Sequence, residues 1–206
     1  MITPSLFKQT DPTQLQAFIH QHSFATLITQ NQAHWQVSHV NLLPSPQNQP
    51  TLVLMGHLAK ANPQSQHMAT HPNALAIFMG AHTYISPTWS VSKAVPTWNY
   101  TAVHAYGRIE LITQPEELKD VLTHLIQRYE KMDDNAWYRD WEKGQYDFLL
   151  SNLVGFKLIV SHLEGTFKLS QNKSHTDQMS IIEHLKQENN ALSQDVAALM
   201  HRNIDL

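Results

Sequence analysis

Apolar residues recur along this chain with two different periods, and the period tells helix from strand. Asp11-Pro12 opens the first helical stretch: Asp11 can cap orphan N–H groups and Pro12 suits the first helical position. Leu15, Phe18 and Ile19 then share one face at i, i+3 and i+4. Residues 24–29 read as a strand, Asn31-Gln32 as a turn, and 33–43 as a second strand on which Trp35, Val37 and His39 alternate. The polar residues 44–50 form a loop, and a third strand over 51–55 ends at Gly56. Residues 58–71 are looser and more helical, punctuated by Asn62-Pro63, and 73–79 return to a strand.

A long aromatic stretch follows over 81–106, and its end, 101–112, alternates as a strand should. Thr113-Gln114-Pro115-Glu116 is a capping-box start to a helix running to about Lys131, with Leu118, Val121, Leu122 and Leu125 inward. Residues 146–153 suggest a short helix, and two late strands, 154–160 and 166–170, are joined through Glu164-Gly165. A second capping box, Ser180-Ile181-Ile182-Glu183, introduces Ile182, Leu185, Asn189, Leu192, Val196 and Leu199 at alternating spacings of three and four. So short a run reads better as a helix lying on the body than as a coiled coil. Six or seven strands with few interposed helices do not make a βαβ series. The expected class is mainly β with helices, mostly antiparallel, in a small barrel. The expected division is a barrel domain over 1–175 and a C-terminal helical extension over 176–206 packed on it.

Composition narrows the chemistry. The 206 residues include 14 lysines and arginines against 17 acids, a net charge of −3 that argues against a chain-wide grip on DNA or an acidic membrane. There is no cysteine, which excludes disulfides, iron–sulfur clusters and thiol nucleophiles. The six glycines lie too far apart for a dinucleotide-binding or P-loop fingerprint, so any phosphate must be held chiefly by side chains. No apolar run approaches the ~20 residues of a spanning helix, and the N-terminus lacks the order of a secretory signal, so the cytoplasm is expected. Histidine is abundant at 14, yet His67 and His71 lack the zinc-protease glutamate, because Met68 follows the first, and no third ligand is suggested. Surface histidines, and no metal, are the expectation.

Three stretches concentrate chemistry. Gly56-His57-Leu58-Ala59-Lys60-Ala61-Asn62-Pro63 brings an imidazole, an ammonium and an amide to the start of a helix, a combination suited to a phosphate dianion. Residues 80–89 and 95–100 gather Tyr84, Trp89, Trp98 and Tyr100 with hydroxyls, an amide and prolines, as a slot for a planar heterocycle would. The same tryptophans could equally plug barrel ends. Residues 163–172 present Lys168, Ser170, Gln171 and Asn172, which alone read as an edge strand with solvated side chains.

Together these peptides, with Tyr84-Ile85-Ser86-Pro87, Val95-Pro96-Thr97-Trp98-Asn99-Tyr100, His104-Ala105-Tyr106-Gly107-Arg108 and Lys168-Leu169-Ser170-Gln171-Asn172, resemble the PaiB family of FMN-binding negative transcriptional regulators. The resemblance covers nearly the whole chain. It implies an FMN-binding split β-barrel, a homodimer with cofactor sites at the subunit interface, and a regulatory or redox-sensing flavin. The alternative it leaves is a flavin-dependent oxidoreductase. On this resemblance His57, Lys60 and Asn62 would hold the phosphate, with Lys168 reaching it from elsewhere. Ser38 and His39 would line the ring or ribityl chain. Trp89, Thr97, Trp98 and Asn99 would supply the aromatic wall and edge hydrogen bonds, and Gln171 the flavin's polar edge. The chain departs from the family at Val40-Asn41, Ser90 and a shortened 91–95 loop, which bears on cofactor retention and access. Direct DNA binding finds no support in charge or in a helix-turn-helix pattern.

Overall fold

The computed structural model describes residues 3–31, 34–46, 50–130 and 140–204. The expected turn residue Gln32, the strand start at Ala33, the middle of the 44–50 loop and the helix end at Lys131 lie outside them. Among the described residues there are eight antiparallel strands: β1 (Lys8–Gln9), β2 (Phe24–Asn31), β3 (His34–Asn41), β4 (Leu43–Pro44), β5 (Val53–Ala59), β6 (Asn73–Ile85), β7 (Thr97–Ile112) and β8 (Leu153–Lys168). Their order in the sheet is β3-β2-β6-β7-β8-β5-β4, with β1 added beside β8. The helices are α1 (Pro12–Gln21), α2 (Pro63–His67), α3 (Pro115–Tyr129), α4 (His175–Gln187) and α5 (Ala191–Ile204). The class is the expected one, mainly β with peripheral and C-terminal helices, of the split-barrel kind.

The chain divides into two compact units. The first gathers Met1–Phe18, Met79–Val103 and Glu164–Leu206; the second gathers Ile19–Phe78 and His104–Leu163. In the second unit β2 and β3 form a hairpin from Phe24↔Asn41 to Asn31↔His34, β2 pairs β6 from Thr26↔Ile77 to Thr29↔Ala74, and β5 pairs β8 from Val53↔Ile159 to Ala59↔Leu153. The inward face of α3, Leu118, Val121, Leu122 and Leu125, is buried as its spacing predicts, in a cluster with Leu43, Val53, Met55, Ile112 and Trp141.

In the first unit Lys8 and Gln9 pair with Thr166 and Gly165, and the Thr3 hydroxyl meets that of Thr166 at 2.8 Å. Its core joins Ala81, Ile85 and Leu169 to Ile181, Ile182, Leu185, Val196, Ala197 and Met200. Asp11 caps α1 as expected, accepting from the Thr13 N–H at 2.8 Å.

Several local expectations fail. The capping box at Thr113 does not form, since the N-cap of α3 is Gln114 with no side-chain cap bond, and β5 runs past Gly56 to Ala59. Three further failures have physical reasons in the packing and caps. Gly165 makes no turn: β8 runs unbroken, and the missing side chain admits β1, since a Cβ there would lie 2.8 Å from the Gln9 carbonyl oxygen. The C-terminal apolar repeat is not one helix. Asn190 breaks it by capping α5, its side-chain oxygen accepting from the Leu192 N–H at 2.9 Å. The cap of α4 is Ser174 rather than Ser180, accepting from the Asp177 N–H at 3.1 Å.

Candidate functional site

The second unit carries the phosphate candidates. β5 delivers His57, Lys60 follows its end, and Asn62 caps α2 by accepting from the Gln64 N–H at 2.9 Å. The Asn62 amide also donates to the Ser38 hydroxyl on β3 at 2.9 Å, so Ser38 and Asn62 come together as one unit. The helix that follows is a single five-residue turn, so the helix pole expected to aid a phosphate contributes little and side chains must do the holding. Lys60 is exposed and carries no ion pair among the described residues, and its N–H donates to the Asn152 carbonyl at 2.8 Å. His39 is also exposed, with Nδ1 3.2 Å from the Thr26 hydroxyl and its ring stacked on Phe24.

His57 is the unusual member. Its side chain is partly exposed, but Nδ1 is buried and has no hydrogen-bond partner among the described residues. Native polar atoms are rarely left so, and a buried orphan of this kind asks for a ligand or water. Burial pushes the imidazole below its ordinary pKa. It is therefore neutral at pH 7, with a ring nitrogen able to donate to a phosphate oxygen. The unfolded chain protonates near the ordinary histidine value of ~6.5, before the native state does. The stability tied to His57 is thus complete above that pH and erodes as pH falls toward the lowered native value. His57→Gln should flatten the loss of stability between pH 7 and 5, by up to ~1.4 kcal/mol per pH unit. Urea unfolding of both proteins across that range measures it, and parallel profiles would contradict the assignment.

Sequence reasoning passes over Gln64, buried just after this group. Its amide nitrogen lies 3.0–3.2 Å from the Thr29 hydroxyl and the Leu27 and Gln36 carbonyls, tying α2 to β2 and β3. The cap Asn62 followed by Pro63 marks the turn in the sequence, but nothing in the pattern marks Gln64 as buried.

The first unit carries the other candidates, and they fall into two sets. The Lys168 ammonium donates to the Thr97 hydroxyl and to the Trp98 carbonyl, the latter at 2.8 Å. Trp98 keeps 54% of its surface exposed and meets Tyr84 edge-on at 6.2 Å. Asn99, by contrast, is fully buried. Its amide donates to the Ser170 hydroxyl at 2.9 Å and to the Met200 sulfur at 3.3 Å, and Ser170 donates back at 3.2 Å. Those bonds occupy Asn99 in the core. Gln171 is likewise engaged locally, accepting from the Leu169 N–H at 2.7 Å and donating to the Phe167 carbonyl at 2.5 Å. Trp89 is stacked on His184 of α4, centroids 5.7 Å apart, so that one face of the indole is covered from within its own unit.

The divergent 91–95 loop has an anchor the sequence does not announce. Asp177, buried near the start of α4, accepts from the Val91 and Ser92 N–H groups at 2.7 and 3.0 Å, from the Ser92 hydroxyl, and from Ser174 at 2.9 Å. The Ser92 bonds, side chain first and then backbone, hold this carboxyl far below the usual carboxylate range against the opposing effect of burial. Nothing in the sequence pattern points to Asp177, because that pattern places the helix start at Ser180 rather than Ser174.

Among the described residues no group of three or more histidines or acids could hold a metal, and no helix is long and apolar enough to cross a membrane.

Over residues 1–162 the chain matches the family described as "Putative FMN-binding domain". The protease synthase and sporulation protein PAI 2 of Bacillus subtilis (strain 168) is 36% identical over 203 residues, covering 97% of this chain and 96% of that one. Among solved structures, the conserved hypothetical protein Rv2991 from Mycobacterium tuberculosis shares the fold with a TM-score of 0.62 at 12% identity, covering 85% of this chain and 95% of that one. The FAD and heme binding protein from Mycobacterium smegmatis gives 0.60 at 12% identity, covering 84% and 78%. The fold these structures share and the length of the PAI 2 match agree with the peptides that first suggested the relationship. The chain therefore belongs to the FMN-binding split-barrel family that includes PAI 2, a family whose cofactor is a flavin.

Proposed function

We propose that this chain binds FMN by gripping its phosphate at the β5–α2 junction, and that it acts as a homodimeric negative transcriptional regulator with a redox-sensing flavin. The carrying observation is the buried Nδ1 of His57, without a partner among the described residues, in the same short segment as the Lys60 ammonium, unpaired among those residues, and the Asn62 amide that donates to Ser38. An imidazole N–H, an amide N–H and a cation are a donor set that fits a phosphate dianion, and they need no glycine loop. Bound FMN would supply a reversible one- or two-electron couple, while the protein supplies binding and orientation. The regulatory part of the reading leans on the full-length likeness to PAI 2 and on the family resemblance of the peptides at 84–108 and 163–172.

Calorimetric titration with FMN tests the grip. Lys60→Ala should weaken binding by about 1.5–3 kcal/mol, roughly 10- to 150-fold, as expected of one charge-assisted contact. Unchanged affinity would place the phosphate elsewhere. Sedimentation of the FMN-loaded protein should show a dimer. Its retardation of the protein's own upstream DNA at low salt tests direct repression, and steady NADPH consumption would replace the sensory reading with an oxidoreductase.

A further inference from the structure

The one-turn helix α2 buries Gln64 and Ser65, and both are polar. Apolar burial could fasten a turn here as well, but it has no direction. Hydrogen bonds fix where the turn sits and how it is rotated. Four polar contacts join it to one face of the β2–β3 hairpin, at two rungs. At the rung Thr29↔Gln36 the Gln64 amide nitrogen reaches the Thr29 hydroxyl at 3.0 Å and the Gln36 carbonyl at 3.2 Å. At the rung Leu27↔Ser38 it reaches the Leu27 carbonyl at 3.2 Å, and the Asn62 amide donates to the Ser38 hydroxyl at 2.9 Å. Ser65 closes the loop from behind, its hydroxyl 2.7 Å from the Asn62 carbonyl and 3.2 Å from that of Lys60. The side-chain oxygen of Gln64 is buried and has no hydrogen-bond partner among the described residues. Such an orphan costs stability that a methionine of similar length would not, so its presence asks for a positional reason.

We infer that Gln64 and Ser65 are positioning residues: they hold Lys60 and Asn62 at the spacing a phosphate monoester needs, and so set a preference for FMN over riboflavin, the same flavin ending in a hydroxyl. They act through the residues they hold, by preorganising them before the ligand arrives. This rests on the reading that the FMN phosphate is gripped at His57, Lys60 and Asn62.

The test is fluorescence titration of the intact protein, freed of flavin, with FMN and separately with riboflavin. The parent should bind FMN about tenfold or more tightly than riboflavin. Gln64→Met and Ser65→Ala should each weaken FMN roughly fivefold or more while changing riboflavin less than about twofold. Ser65→Ala, the milder change, carries the test if Gln64→Met does not fold. A double-mutant cycle supplies a second readout: Ser65→Ala should cost less FMN affinity in the Lys60→Ala background than in the parent, because part of what it positions is gone. Three results would overturn the inference: unchanged FMN affinity in both variants; equal weakening of FMN and riboflavin, the mark of a merely structural role; or a strictly additive cycle. Failure of the grip itself is distinguishable. Lys60→Ala would then leave FMN affinity intact, and the positioning role would fall with it.

Discussion

Gly107→Ala should destabilise the protein by ~3 kcal/mol or more, lowering its melting temperature by about 6–12 °C. Gly107 lies on β7 in the His104–Arg108 peptide, where β8 comes unusually close. A Cβ at this position would fall on the carbonyl oxygen of Ile159 and 2.9 Å from its carbon. That carbonyl is backbone and cannot rotate aside as a side chain would. Ile159 is also held from its other side, in register with Val53 of β5. Adding one methyl group must therefore part β7 from β8 or shift β5 with β8, and either breaks ladder hydrogen bonds. Thermal unfolding followed by circular dichroism measures the effect. A variant melting within 2 °C of the parent would show that the strands part more easily than this packing suggests, by the usual scaling of roughly 2–4 °C per kcal/mol.

Asn99→Ala should cost ~2–4 kcal/mol, because it opens a cavity and strands a buried hydroxyl at once. Asn99 is fully buried and Ser170 nearly so, and they exchange hydrogen bonds in both directions. Ser170 has φ of +65°, the left-handed region that a residue with a Cβ occupies at a cost of roughly 1–2 kcal/mol. Its bonds to Asn99 hold it there. Two variants separate the bond from the strain. Ser170→Ala loses the bond and keeps the strain, whereas Ser170→Gly loses the bond and sheds the strain, so the glycine variant should be the more stable of the two by about 1 kcal/mol. Urea midpoints in the reverse order would mean that the left-handed turn is not what Asn99 secures.

What could be read ahead of the structure followed the kind of force involved. The face of α3 and the hairpin of β2 and β3 were legible because burial writes a period into the residues themselves. The length of β8 was not, because a glycine reads the same whether it turns the chain or lets another strand approach, and at Gly165 the second holds. The break between α4 and α5 hid for a related reason: Asn189 and Asn190 fit a polar interruption in a helix as well as a cap. At the site, chemistry was visible but engagement was not. Asn99 and Lys168 both advertise donors; only tertiary structure shows that the amide of Asn99 is committed to Ser170 and Met200 in the core. The departure at 91–95 was visible as a difference in sequence, whereas the carboxylate that holds it, Asp177, lies some eighty positions later.

The pairing of β1 with the far end of β8 has a consequence for how this polypeptide is made. The Thr3 hydroxyl waits for one 163 positions downstream, and Lys8 and Gln9 wait for Thr166 and Gly165. At translation speeds of ~5–20 residues per second, the leader would remain an orphan on the ribosome for roughly 8 to 30 s before its mate emerges. Nascent chains arrested before residue 165 should leave that leader open to protease, and release of the finished polypeptide should close it.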